Sequence, residues 1–460
     1  MANTHLYSLF GFFLLVLAFK LLLPTGKKRK NLPPTPPSIP IIGHLHLLKQ
    51  PIHRTLENLS RKYGPIVFLR FGSRSVIVVS SPSLAEECFT KNDINFANRP
   101  PFLNGKHLHY NFTTVVSANY GDHWRNLRRI CAIEIFSSSR INSSSGTRRD
   151  ETKQLARRLQ QVSRNGFSKV ELRSMFTDLT FNIVMRMIAG KRYYGEDVNL
   201  IEEANTFKET MKEYADLGGL TNLADVFPII QCVDYNGFDS QPEYYTEDII
   251  KGLVLIMLLA GTRTLSTSLE WAVCNLMNHP AREELDTQNV RDHLVEESDI
   301  SKLPFLQSII LESSRLYPVN PLLAPHLSSA DCTIGGYDVP AEERRREGRE
   351  IEGGRGLCSE EEERTQKGVS ICSEEEATEE ERFFLSRGGR EIEGGRACPG
   401  EGLAPRVMAV TLGSFIQCFE WEKVDGKDID MAEKMHTLMC RVEPIEAMCR
   451  VRPHMVDLLS

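Results

Sequence analysis

No surplus of basic residues, no paired-cysteine framework and no glycine-rich dinucleotide loop occur in this sequence, and each absence removes a class of function. The formal net charge is -6 over 460 residues, with 25% charged, so nucleic acid is not an implied partner. Cysteine is present eleven times, an odd number without regular spacing. That argues against a disulfide scaffold and for reduced thiols in a cytosol-like compartment. Without a G-x-G-x-x-G fingerprint the chain offers no dinucleotide site of its own. Its length is enough to bury a large core, in one big domain or in two or three ordinary ones.

The N-terminus breaks this soluble average. "LYSLFGFFLLVLAFKLLL", Leu6 to Leu23, is long enough to cross a bilayer as a helix, with Lys20 placed to snorkel to the interface. A cleaved signal peptide is the alternative, but no basic residues precede the run and no A-x-A-like site follows it. "KKRK" at Lys27 to Lys30 follows instead, which puts the body on the cytoplasmic side. We therefore divide the chain into an anchor over 1–24, a basic and proline-rich linker over 25–40, and a main domain over 41–460. The prolines of "NLPPTPPSIP" predict an extended, stiff connector that spaces the body from the membrane.

"PIVFLRFGSRSVIVVSS", Pro65 to Ser81, reads as a β-hairpin. Beyond Pro82 the pattern is mainly helical. The longest helix is predicted from Thr246 to His279, with an apolar centre too short to span a membrane and suited to a protein core. From 341 to 395 the chain turns to Glu, Arg and Gly, with "REIEGGR" repeated and "CSEEE" at Cys358 and Cys372. Such a stretch lacks the apolar surface needed to offset its ordering entropy.

Two cysteines follow the repeat. Cys398, in "CPGEGLAPR", precedes a predicted helix whose dipole, with Arg396, would stabilise a thiolate suited to a metal. Cys358 faces a run of glutamates that would raise its pKa. A Cys-Pro-Gly alone equally describes an inert buried cysteine. Glu312 and Arg315 stand at i and i+3 in "LESSRLYP", a spacing that also describes an ordinary surface pair. Trp124 and Arg128 share one helical face in "GDHWRNLRRI", as on any amphipathic helix. Gly261 and Thr264 interrupt the long apolar helix in "AGTRTLSTS", where a glycine signals close approach, by a ligand or by a neighbouring helix.

In this order the pieces resemble the cytochrome P-450 family of haem-thiolate monooxygenases. "LPPTPPSIPIIGHLHLL", "QPEYYTEDIIKGL", "PHLSSADCTIGGYDVP" and "CPGEGLA" resemble the plant microsomal, isoflavone hydroxylase-like group. The resemblance implies a mainly α fold with a small β subdomain behind a transmembrane anchor. It implies Cys398 as axial thiolate on haem iron, favouring O-O cleavage. Arg128, Arg396, Trp124 and His326 match positions beside the haem propionates, and Gly394 and Gly400 match the ligand loop. Gly261 would leave room for dioxygen and Thr264 would help deliver protons. Glu312, Arg315 and Arg382 match a buried structural triad.

By the same resemblance, electrons come from NADPH through a separate cytochrome reductase, and the substrate is a small lipophilic molecule of flavonoid or isoflavonoid type. The body lies at the endoplasmic reticulum membrane and faces the cytosol. Four departures stand beside these matches. Arg263 occupies the place of the acid before the threonine and cannot relay a proton. Glu391 replaces a phenylalanine expected under the haem. Pro405 falls within a predicted helix. The strands and meander expected after "GGYDVP" give way to the repeat. Arg263, Glu391 and the lost meander favour the alternative, a catalytically inactive membrane-anchored remnant or mis-predicted gene product of the same family.

Overall fold

The computed structural model describes residues 11, 31–194, 201–218, 223–226, 246–279, 293–341, 367–371, 397–435 and 438–459. The predicted anchor lies outside them but for Gly11, and so do Cys358, Arg382, Glu391, Gly394 and Arg396.

Alternating β-branched residues on either side of Gly72 make the hairpin, β1 (Ile66–Phe71) and β2 (Arg74–Val79), paired antiparallel from Ile66 opposite Val79 to Phe71 opposite Arg74. It is flanked by α1 (Ile52–Tyr63) and α2 (Pro82–Phe89). Helices then dominate: α3 (Asp122–Ile130), running on into a π-helical turn over Cys131–Ile135, α4 (Ser138–Ser143) and α5 (Ser145–Val162). After the short strand β3 (Ser168–Glu171) comes α6 (Leu172–Ala189). Glu171 caps α6 by accepting from the Arg173 and Ser174 amides, and Gly190 closes it in the left-handed conformation, as helix ends require. Then follow α7 (Ile201–Gly218) and the long α8 (Glu247–Asn278).

Thr246 caps α8 by accepting from the Ile249 amide. Buried Leu265, Leu269, Ala272 and Val273 fix the helix in the main core against Phe176, Leu179 and Ile183 of α6, and Thr180 Oγ1 donates to the Thr262 carbonyl at 3.1 Å. Its length and composition do reach what a bilayer span requires, contrary to the sequence reading. The packing makes it the core helix nonetheless.

The rest of the chain supplies α9 (Pro304–Leu316), β4 (His326–Leu327), the hairpin β5 (Cys332–Ile334) and β6 (Tyr337–Val339), β7 (Lys367–Ile371), α10 (Ala404–Cys418) and β8 (Phe419–Lys423). Then come β9 (Glu433–Met435), β10 (Met439–Arg441) and β11 (Glu446–Val451), followed by a short helix over Val456–Leu459. The fold is mainly α, with four small sheets among the described residues, the largest ordered β1-β2-β7-β4.

Three expectations need correction. The 341–395 segment is not without structure: β7 joins the main sheet, parallel to β2 and antiparallel to β4, because "KGVSI" is its one short run with β-branched apolar residues. The connector does not hold the body away from the membrane as far as residue 40. From Asn31 onward it is bonded to the body, Asn31 Nδ2 to the Gly336 carbonyl at 2.5 Å and the Asp338 amide to the Asn31 carbonyl at 2.7 Å, with Pro33 and Pro36 buried. Pro405 does not break a helix, since α10 begins at Ala404 and places the proline in its first turn, where no hydrogen bond is lost.

Candidate active site

The helices enclose a cavity of about 600 Å³. Its wall brings together Trp124 and Arg128 of α3, Gly261 and Thr264 of α8, His326 of β4, and Cys398 and Gly400 of the loop before α10. Seven residues proposed from the sequence, from four separate stretches of chain, therefore face one space. Most of the remaining wall is apolar, including Phe89, Val115, Val184, Ile188, Ile256 and Met257.

Cys398 is exposed, and it lines the cavity. Burial pushes its thiol above the ordinary value; the Gly400 amide, the Arg128 charge and the Glu401 amide act against that rise, and the Glu401 carboxylate adds to it. The helix-dipole reading is thereby corrected. Turns occupy 399–403 and α10 begins only at Ala404, so the sulfur takes its donors from the loop amides of Gly400 and Glu401 and not from a helix end. The loop is held from α3, where Arg128 Nη1 donates to the Ala397 carbonyl at 2.7 Å. The Arg128 guanidinium lies 5.7 Å from the Trp124 ring centroid, within cation-π range. Trp124 Nε1 donates to the Val115 carbonyl at 3.2 Å.

His326 is buried, with Nδ1 2.6 Å from the Phe96 carbonyl, which makes Nδ1 the donor. Thr264 Oγ1 donates to the Ala260 carbonyl one turn back. At Gly261 an added Cβ would stand 2.8 Å from Val184 Cγ2, so the glycine is required for the packing of α8 on α6 as well as lining the cavity. Arg263 is half-buried and does not belong to the cavity wall. Glu312 and Arg315 form a two-pronged ion pair at 2.6 and 2.8 Å, but the glutamate side chain is 55% exposed, so the expected buried setting is not found. A pair so placed contributes at most about 1 kcal/mol.

Arg99 escaped the sequence reading. It lines the cavity and donates Nη1 to the Ala324 and Pro325 carbonyls at 2.9 and 2.8 Å. Burial lowers its pKa to about 10, and its buried Nε has no hydrogen-bond partner among the described residues. A single arginine beside two prolines in "FANRPPF" has no periodicity to mark it; only the fold brings it to His326 and Arg128.

A buried orphan donor on a wall already carrying Arg128 and His326 calls for an anionic acceptor. Among the described residues no cluster of three or more His, Cys, Asp or Glu side chains could hold a bare metal ion. Cys398 therefore suits a metal that brings its other ligands with it. A metallated macrocycle with acidic side arms meets both conditions, so the residues present fit haem.

The site and fold thus define a thiolate-haem oxygenase, and similarity searches agree. The family model for cytochrome P450 matches residues 33–238 and 234–344. Cytochrome P450 81E8 of Medicago truncatula is 44% identical over 98% of both chains. Isoflavone 3'-hydroxylase of the same plant is 45% identical over 97% of this chain and 99% of its own. Isoflavone 2'-hydroxylase of Glycyrrhiza echinata is 43% identical over 93% of both. Among solved structures, a zebra fish cytochrome P450 aligns over 88% of this chain and 99% of its own, with a TM-score of 0.66 at 21% identity, a likeness of fold. The chain belongs to the cytochrome P450 family. It is a haem-dependent monooxygenase of the isoflavone hydroxylase-like plant group.

Proposed function

We propose that Cys398 is the axial thiolate and that Arg99, Arg128 and His326, with Arg396, bind the haem propionates. The observation that carries this is the opening of the Cys398 thiol into the cavity whose other wall holds Gly261 and Thr264. Bound haem supplies the activation of dioxygen for insertion of one oxygen atom into substrate. The protein's share is to orient the ring through its cations, to exclude water with the apolar wall, and to hold a proton at Thr264 Oγ1.

The substrate in this reading is a small lipophilic molecule of flavonoid or isoflavonoid type. The apolar cavity and the two relatives named as isoflavone hydroxylases support it. Electrons arrive from NADPH through a separate reductase, and residues 1–24 anchor the protein in the endoplasmic reticulum with its body, 41–460, in the cytosol. The rival remnant, able at most to bind haem or ligand, is supported by Arg263 standing beside Thr264.

A carbon monoxide difference spectrum of the reduced protein tests the ligand. Cys398→Ser should abolish the thiolate-type Soret band and Cys358→Ser should leave it intact; the reverse pattern would overturn the assignment. Isoflavone oxidation with NADPH and a plant reductase then separates a working enzyme from a haem-binding remnant.

A further inference from the structure

Behind the cysteine loop, away from the cavity, lies an ion cluster that the haem site does not use. Arg148 of α5 is fully buried and donates Nε to Glu297 Oε1 at 2.5 Å, Nη1 to Ser144 Oγ at 2.8 Å and Nη2 to the Ile141 carbonyl at 2.7 Å. The second oxygen of Glu297 accepts from Arg406 Nη1 at 3.1 Å, and the same nitrogen donates to Asn142 Oδ1 at 2.6 Å. A single carboxylate thus ties a buried guanidinium on α5 to the first turn of α10, the helix that Cys398 and its loop lead into.

The cluster's neighbours touch the loop itself. Ile141 Cδ1 would lie 3.3 Å from a Cβ added at Gly402, and the Phe136 ring 4.0 Å from one at Gly400. The carbonyl of Ile141 and the side chain of Asn142 are bonded to Arg148 and Arg406. The segment supporting the loop and the helix leaving it are therefore held by one set of charge-assisted bonds, which are stronger and more directional than neutral ones.

We propose that Glu297 and Arg406 are positioning residues for the Cys398 loop: their contact sets where residues 397–403 stand beneath the cavity, and so how the sulfur is presented. The proposal rests on the loop geometry; its bearing on ligation rests on Cys398 being the axial thiolate. Glu297 is a poor first target, because removing it strands a buried arginine charge. Arg406 is partly exposed, and its loss leaves the Arg148–Glu297 pair in place.

The test compares full-length Arg406→Met and Arg406→Lys with Arg149→Met, which breaks the neighbouring exposed pair to Glu296. Amide hydrogen exchange over 397–406 should rise about tenfold in Arg406→Met, the population change expected on losing a charge-assisted hydrogen bond. It should recover in part in Arg406→Lys and stay unchanged in Arg149→Met. Exchange in the β1–β2 hairpin should not move. Unchanged exchange over 397–406, or an equal rise throughout the chain, would overturn the proposal. The thiolate-type band should also give way more readily to the thiol-type band in Arg406→Met at equal haem content. If the unmutated protein lacks that band, the assignment of Cys398 fails, while exchange alone still decides whether the clamp positions the loop.

Discussion

Arg128 and Ala397 are joined across 269 residues of chain by a 2.7 Å hydrogen bond, and this bond sets a guanidinium beside Cys398. The charge serves two purposes there. It favours the ionised form of Cys398 against the burial that opposes it, and it adds to the charge that Arg99 brings to the same cavity wall.

Replacing Arg128 by leucine should therefore weaken haem retention about tenfold or more, as loss of a buried charge-assisted contact does. Arg128→Lys should recover part of it, since a lysine keeps the charge without the planar fork. Haem transfer to an excess of a haem-scavenging protein measures this directly. Equal transfer rates in all three proteins would remove Arg128 from the site.

Gly261→Ala should destabilise the protein by about 1–3 kcal/mol, the usual cost of overpacking a filled core, because the new methyl meets Val184 Cγ2 at 2.8 Å. Val184→Ala should restore most of that loss when combined with it, since the two sites share one space. Urea midpoints of the two single variants and the double variant give the coupling. Simple additivity would show that Gly261 is not needed for the contact with α6.

The hairpin and α8 were legible because their side chains follow the pattern of their secondary structure, and Thr246 supplied a visible helix start. The setting of Cys398 was not. A helix was expected directly behind it, but turns fill 399–403 and loop amides do the work assigned to the dipole. Arg99 was invisible for a different reason: its importance comes from burial beside the Ala324 and Pro325 carbonyls, a long-range contact that no local pattern encodes. The strand β7 was overlooked because the surrounding glutamates and arginines outweigh its few apolar residues.

Deleting Met1 to Lys30 should move the protein from the membrane to the soluble or aggregated fraction. The cut falls just before Asn31, whose bonds to the β5–β6 hairpin remain, so the described body keeps its contacts. Alkaline carbonate washing of membranes provides the check; truncated protein that resists it would show a second mode of membrane attachment.

Stability should fall steeply as pH rises above about 9, under reducing conditions. Burial raises Cys88, Cys274 and Cys418 to about 12, and Cys131 and Cys449 to about 11, from an ordinary 9.0. Below the ordinary value both states hold these protons and the contribution is fully present. Between that value and the raised ones the unfolded chain releases protons that the folded chain keeps, so unfolding is favoured. Each thiol adds about 1.4 kcal/mol per pH unit to the slope. Arg99 acts in the opposite direction, but only above its lowered value of about 10. Urea midpoints at about pH 8 and about pH 10 should therefore decline, and Cys418→Ala should make the decline shallower by one thiol's share. A flat or rising profile would mean that these thiols reach solvent in the folded protein, against the full burial of all five in its hydrophobic clusters.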